Sequence, residues 1–117
     1  MRAATDILKE RLRADLLDCM RRRRPLEAAT IRSLLAALDN AEAVPRDTSR
    51  SASHPVQFGD GSAEVARREL SRAQALQVIQ EEASKYLDAA TDLERLGQPD
   101  HAERLREEAR IAQRYVA

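Results

Sequence analysis

The chain has 117 residues, of which 34% are charged and 3% aromatic, and its 20 basic and 20 acidic side chains give a formal net charge of zero. This length allows one domain with a modest core. The neutral total excludes a nucleic-acid binder that works through overall charge alone. The chain is rich in Ala, Leu, Arg and Glu and sparse in Val and Ile, which favours packed helices over sheets.

The charge is unevenly distributed along the chain. Residues 1–24 carry 8 basic and 4 acidic groups, whereas residues 71–96 carry 3 basic and 5 acidic groups. No apolar run approaches the ~20 residues that a bilayer requires, and the N-terminal residues lack the apolar core of a signal peptide. We therefore expect a cytoplasmic protein with no membrane partner.

The first predicted helix runs from about Thr5, a suitable N-cap residue, to Arg22. Its apolar stripe consists of Leu8, Leu12, Leu16 and Cys19. The second helix is predicted to begin at Pro25, since proline suits the first helical position, and to end near Glu42. Its core face consists of Ile31, Leu34, Leu35 and Leu38, at the spacing i, i+3, i+4 and i+7.

Residues 43–62 lack helical periodicity and are rich in proline, glycine and serine, so we predict a long flexible loop there. Such loops are uncommon in compact domains and are usually functional or disordered. Residues 63–70 are predicted to form a short helical turn that leads into the next element.

The third predicted helix is the longest and begins with a capping box at Ser71 and Gln74. It ends at Gly97, so it spans roughly 39 Å at 1.5 Å per residue. The fourth is predicted to run from about Pro99 to Tyr115, and its short connection makes the two helices antiparallel. The sequence therefore predicts an all-α bundle of about four helices with a long antiparallel hairpin, in a single domain.

The sequence contains no recognisable catalytic or metal-binding motif. The candidate metal ligands Cys19, His54 and His101 lie in three separate segments without ligand spacing. No G-x-S-x-G elbow or glycine-rich phosphate loop is present, and adjacent acids such as Glu81 and Glu82 point about 100° apart on a helix. We predict no catalytic, cofactor-binding or metal site.

Two clusters of arginine are candidates for binding phosphate. The run Arg21–Arg24 suits phosphate oxygens, but cations also favour the C-terminal end of any helix. The fourth helix carries a basic ridge formed by Arg104, Arg106, Arg110 and Arg114. Neighbouring glutamates could neutralise that ridge through i, i+3 and i, i+4 pairs. Tyr86 and Tyr115 could stack on bases, or they could lie at the edge of the core.

Two stretches resemble a known family. Residues 31–42, IRSLLAALDNAE, are similar to the second helix of the GatB/YqeY family. Residues 69–116 resemble that family's long helical hairpin in the order and spacing of their motifs. These motifs are Glu69-Leu70-Ser71, Val78-Ile79, Glu82, Lys85, Leu96-Gly97, Asp100-His101-Ala102, Glu108-Ala109 and Tyr115-Val116.

The resemblance implies an all-helical fold of the YqeY N-terminal type, related to the tRNA-recognising tail of the B subunit of aspartyl/glutamyl-tRNA amidotransferase. Family members are associated with carbon–nitrogen ligase activity that uses glutamine as amido donor. Four features depart from the family pattern. The usual basic cluster of the third helix is reduced to Lys85 followed by Tyr86. The family's C-terminal subdomain is expected to be absent after Ala117, residues 43–62 are an insertion, and the usual Gly-Arg of the hairpin turn is Gly97-Gln98.

The leading hypothesis is a non-catalytic adaptor related to amidotransferase tails that binds tRNA. Its predicted nucleic-acid contacts are Arg21, Arg22, Arg23, Arg24, Arg32, Lys85, Arg104 and Arg110. The alternative is a protein–protein interaction module, bound to another protein or to a second copy of itself, with no nucleic-acid role.

Overall fold

The computed structural model describes residues 3–43 and 69–117, which contain four helices and no strand. The helices are α1 (Ala4–Arg21), α2 (Pro25–Ala43), α3 (Arg72–Arg95) and α4 (Pro99–Gln113). The predicted all-α helical bundle is thereby confirmed. The predicted loop lies outside the described residues from 44 onward, as does the predicted turn up to residue 68. Leu70, the end of that predicted turn, is not helical.

The core forms where the apolar stripes of the helices meet. Its largest fully buried side chains include Leu12 of α1, Leu34 and Leu38 of α2, and Ile79 of α3. Each contributes about 1.5–3 kcal/mol through removal of its apolar surface from water. The predicted α2 face is therefore confirmed, with Leu35 packed at its margin.

The start of α1 differs from the prediction. The helix begins at Ala4, and Thr5 lies inside it, fully buried. The hydroxyl of Thr5 donates a hydrogen bond to the carbonyl of Leu70 at 3.1 Å. Thr5 was predicted to cap the helix, but its hydroxyl instead joins α1 to the segment that precedes α3. Because a buried hydroxyl without a hydrogen-bond partner is costly, the bond to Leu70 stabilises Thr5 inside the helix.

The hairpin of α3 and α4 matches the prediction closely. The Ser71 hydroxyl accepts from the Gln74 amide at 3.1 Å, and the Gln74 side chain accepts from the Ser71 amide at 2.9 Å. This reciprocal capping box opens α3. Gly97 ends it with a positive φ of 78°, and Pro99 is the first residue of α4. The two helices share the largest helix–helix interface in the described residues.

A buried lysine connects α1 to α2. The Nζ atom of Lys9 lies 2.6 Å from Asp39 Oδ1 and 2.5 Å from Glu42 Oε1, and Lys9 is 5% exposed. Burial by itself would lower the pKa of Lys9, but hydrogen bonds to Asp39 and Glu42 outweigh it and raise that pKa. The charged lysine therefore fixes α2 against α1 at the end of the bundle opposite the α1–α2 turn.

Candidate nucleic-acid interface at the α1–α2 corner

The turn between α1 and α2 is built almost entirely from arginine. Arg21 ends α1, Arg22 is its C-cap, and Pro25 begins α2 three residues later. The amide of Arg24 donates to the carbonyl of Cys19 at 2.9 Å, in the pattern of a Schellman motif. We call Arg21, Arg22, Arg23, Arg24 and Arg32 the arginine corner.

Arg23 occupies a backbone conformation that normally selects glycine. Its φ is 58°, and among the described residues it is the one non-glycine residue with positive φ. The left-handed region costs an L residue roughly 1–2 kcal/mol. The equivalent position at the end of α3 is held by Gly97, with φ of 78°. Strained positions of this kind are enriched at functional sites.

Only part of the arginine corner is neutralised. Arg22 pairs with Asp18 at 3.1 Å, and Arg24 approaches Glu27 at 3.7 Å. All five arginines of the corner are exposed, and the other three make no ion pair with the described residues. These unpaired arginines are Arg21, Arg23 and Arg32. Their charge is therefore available to an anion.

An open groove of about 500 Å³ lies at the corner. Arg23 and Arg24 from the turn and Arg32 from α2 line it together with Met20, and no acidic side chain takes part. Arg32 lies in the second turn of α2, eight residues beyond Arg24 in sequence. The structure thus brings Arg32 to the groove that the sequence-adjacent arginines line.

The arginines of α4 have a different environment. We call Arg106, Arg110 and Arg114 the arginine ridge. Arg110 pairs with Glu103 at 2.9 Å and with Glu107 at 2.7 Å, and its guanidinium lowers the pKa of Glu103. Arg106 pairs with Glu94 across the hairpin, and Arg114 pairs with Glu27 at 2.6 Å. The ridge is therefore neutralised, partly by α4 glutamates at the expected spacing and partly by Glu94 and Glu27 of other helices.

The remaining predicted contacts lie away from the corner groove. Lys85 pairs with Glu82 at 3.0 Å on the exposed face of α3. Arg104 is exposed on α4 and makes no ion pair with residues 3–43 or 69–117. Arg110 is nearer, because it lines a second small groove that also contains Arg24. The structure thus gathers five of the predicted residues at the corner, with Arg110 at its margin.

Neither tyrosine offers a stacking surface to bases. Tyr115 is 5% exposed, its hydroxyl donates to Asp15, and the guanidinium carbon of Arg11 lies 4.6 Å from its ring centroid. Tyr86 packs against the core, and its hydroxyl is buried. Both tyrosines are therefore core-edge residues, the second of the two roles that the sequence left open.

The groups that could have supported chemistry are dispersed. Cys19 is buried, and burial raises the pKa of its thiol, which disfavours the nucleophilic thiolate. His54 lies outside the described residues. Within residues 3–43 and 69–117, no three His, Cys, Asp or Glu side chains are grouped so that they could hold a metal ion.

Sequence reasoning missed the contact between α2 and α4 at Glu27. Its carboxylate accepts from Arg114, which lowers the pKa of Glu27 despite partial burial, and it also faces Arg24. These partners are separated by 87 positions, so no local spacing could have indicated the pair. Glu27 thereby separates the neutralised ridge from the open corner.

Comparisons with protein-family models, with curated proteins and with solved structures found no match to this chain. None of the helices in the described parts of the chain combines the length and apolarity needed to traverse a bilayer.

Proposed function

We propose that this chain is a non-catalytic adaptor of the GatB/YqeY type that binds the phosphate backbone of tRNA through the arginine corner. The observation that carries the proposal is the exposure of Arg21, Arg23 and Arg32 at one end of the bundle, where they make no ion pair within the described part of the chain. The choice of tRNA comes from the sequence resemblance, and a cytoplasmic location is part of the same proposal.

Backbone binding fits the chemistry of the corner. A guanidinium donates in a planar fork that matches phosphate oxygens. Met20, which is 51% exposed, adds an apolar contact for a sugar face beside these charges. Because no tyrosine stacks outward and no acidic side chain lines the groove, we expect binding without base specificity.

The test is a titration of labelled tRNA at several salt concentrations. The variant that combines Arg21→Gln, Arg23→Gln and Arg32→Gln removes the unpaired charges. We expect the slope of log K against log salt to become shallower by about 2–3, because each phosphate contact contributes about 0.7–0.9 to it. Circular dichroism should show an unchanged helical content, since all three side chains are exposed.

A matched control removes the same charge elsewhere, through Lys85→Gln, Arg95→Gln and Arg104→Gln on α3 and α4. It should retain most of the affinity and the original salt slope. Equal losses in the two variants would show that the contact is not confined to the corner. Absence of binding to the unmodified chain at low salt would exclude the proposal, including the predicted contacts at Lys85, Arg104 and Arg110.

A second candidate function is a protein–protein interaction module. Leu17 and Met20 are 59% and 51% exposed on α1, immediately before the corner. Large exposed apolar side chains of this kind are found at protein interfaces. Light scattering distinguishes the two functions: a stable dimer that Leu17→Ser dissociates, with no tRNA binding, favours the interaction module.

A further inference from the structure

A groove distinct from the arginine corner lies between the first half of α1 and the start of α3. Its volume is about 310 Å³, and Tyr115 closes one side. Of the helix pairs in contact within the described residues, α1 and α3 share the smallest interface. The two helices therefore leave a gap that their own side chains do not fill.

The walls of the groove combine apolar side chains with two cations. Ile7, Leu8 and Leu76 supply apolar surface, and Ile7 is 56% exposed despite its size. Arg11 and Arg72 are the charged residues of the lining, and no acidic side chain accompanies them. This pairing of apolar walls with positive charge is complementary to an amphipathic anion.

The two arginines line the same groove. The Arg11 guanidinium lies over the ring of Tyr115, at 4.6 Å from its centroid, and the Tyr115 hydroxyl is held by Asp15. A guanidinium stacked on a ring keeps its N–H edge available for hydrogen bonds. Arg72 is the first residue of α3 and is exposed.

We propose that this groove binds a small acyl carboxylate, with its chain against Ile7, Leu8 and Leu76 and its carboxylate between Arg11 and Arg72. Ligand pockets commonly enclose about 300–1,000 Å³, so this groove suits a short chain rather than a helix or a nucleic acid. A wholly apolar occupant would desolvate both guanidinium groups without compensation. The proposal is independent of tRNA binding at the corner.

The experiment is a titration with octanoate, followed by ligand-observed saturation-transfer NMR, with octanol as the uncharged analogue. Octanoate should bind at least about tenfold more tightly than octanol, since a hydrogen-bonded charge is worth that factor or more. Arg72→Gln should weaken octanoate binding by about tenfold or more for the same reason. Ile7→Asn should weaken octanoate and octanol alike, because it removes the shared apolar wall.

Arg104→Gln is the matched control, because Arg104 is likewise exposed, lacks an ion pair in the described residues and lies outside the groove. It should leave octanoate binding unchanged. Thermal melts of each variant check that the bundle remains folded. The proposal is overturned by absence of octanoate binding at millimolar concentration, by equal affinity for octanol, or by equal losses in Arg72→Gln and Arg104→Gln.

Discussion

The arginine corner and the arginine ridge are equally conspicuous in the sequence, yet they present different surfaces. On the ridge, Arg110 forms ion pairs with both Glu103 and Glu107, which neutralise its charge. At the corner, Arg23 and Arg32 are exposed, and the groove they line contains no acidic side chain from the described residues. The number of arginines therefore does not decide which surface can attract an anion.

The difference arises partly from the residues near each arginine in the chain and partly from acids on other helices. Arg106 pairs with Glu94, and Arg114 pairs with Glu27. Along α4, glutamate recurs at the i, i+3 and i, i+4 positions that face an arginine. At the corner, four arginines follow one another without an intervening acid, and Pro25 then starts a new helix. The corner therefore retains guanidinium groups that make no ion pair with the described residues, and three substitutions test this distinction.

The largest effect on stability is expected from Glu27→Gln, which removes the acid that separates the two regions. Loss of its charge-assisted contact with half-exposed Arg114 should lower the free energy of unfolding by about 1 kcal/mol. Arg24 and Arg114 would then lack their partner, so tRNA affinity should rise while stability falls. Urea denaturation and tRNA titration measure the two effects.

The same variant gives a pH test. The Arg114 guanidinium lowers the pKa of folded Glu27 below its ordinary value of 4.5. The stabilisation is therefore fully present above pH 4.5 and is lost as the pH falls through the lower folded value. Glu27→Gln should lose less stability than the unmodified chain on acidification below pH 4.5. Parallel acid-denaturation curves would contradict this assignment.

A smaller effect of opposite sign is expected from Arg23→Gly. Relief of the left-handed backbone, less the extra chain entropy of glycine, should raise the free energy of unfolding by roughly 0.5 kcal/mol. Because a phosphate contact is lost, the tRNA salt slope should become shallower by about 1. Chemical denaturation and salt-dependent titration would show whether stability and binding move in opposite directions.

Gly97→Ala is the matched control for the backbone term. Gly97 has φ of 78°, and a Cβ atom there would meet no other atom within 4 Å. Any loss of stability in that variant reports the cost of the left-handed conformation, less the smaller chain entropy of alanine in the unfolded state. If Gly97→Ala proves neutral, the expected gain from Arg23→Gly has no basis.

The smallest effect is expected from Arg110→Gln on the ridge. Its pairs with Glu103 and Glu107 are solvent-exposed, and such pairs contribute little to stability. The denaturation midpoint and the tRNA affinity should both stay within experimental error. A loss of affinity comparable to that of Arg23→Gly would place the ridge in the binding surface and remove the distinction between the two regions.

Much of the fold was predictable because local rules determine it. The capping box at Ser71, the proline starts of α2 and α4, and the glycine end of α3 each depend on neighbours within a few positions. The role of Thr5 was not predictable, since its acceptor is the carbonyl of Leu70, 65 positions away. The buried position of Lys9 was missed for the same reason.

The residues of the candidate site were predictable from the sequence, but which of them lie close together was not. The run Arg21–Arg24 is visible in the sequence, and Arg32 follows from helical geometry once the turn is known. The separation of Lys85 and Arg104 from that cluster depends on how the hairpin packs against α1 and α2, which residue spacing does not encode. The groove between α1 and α3 was not predictable because its lining residues are far apart in sequence.

The contacts of Thr5 and Lys9 have a consequence for how this architecture can vary. The segments on either side of residues 44–68 attach to successive turns of α1: Lys9 binds Glu42, and Thr5 binds Leu70. Those two attachment points are about 6 Å apart along the helix axis. Because closure entropy grows slowly with length, a connection of different length between these two anchored segments should leave the bundle intact.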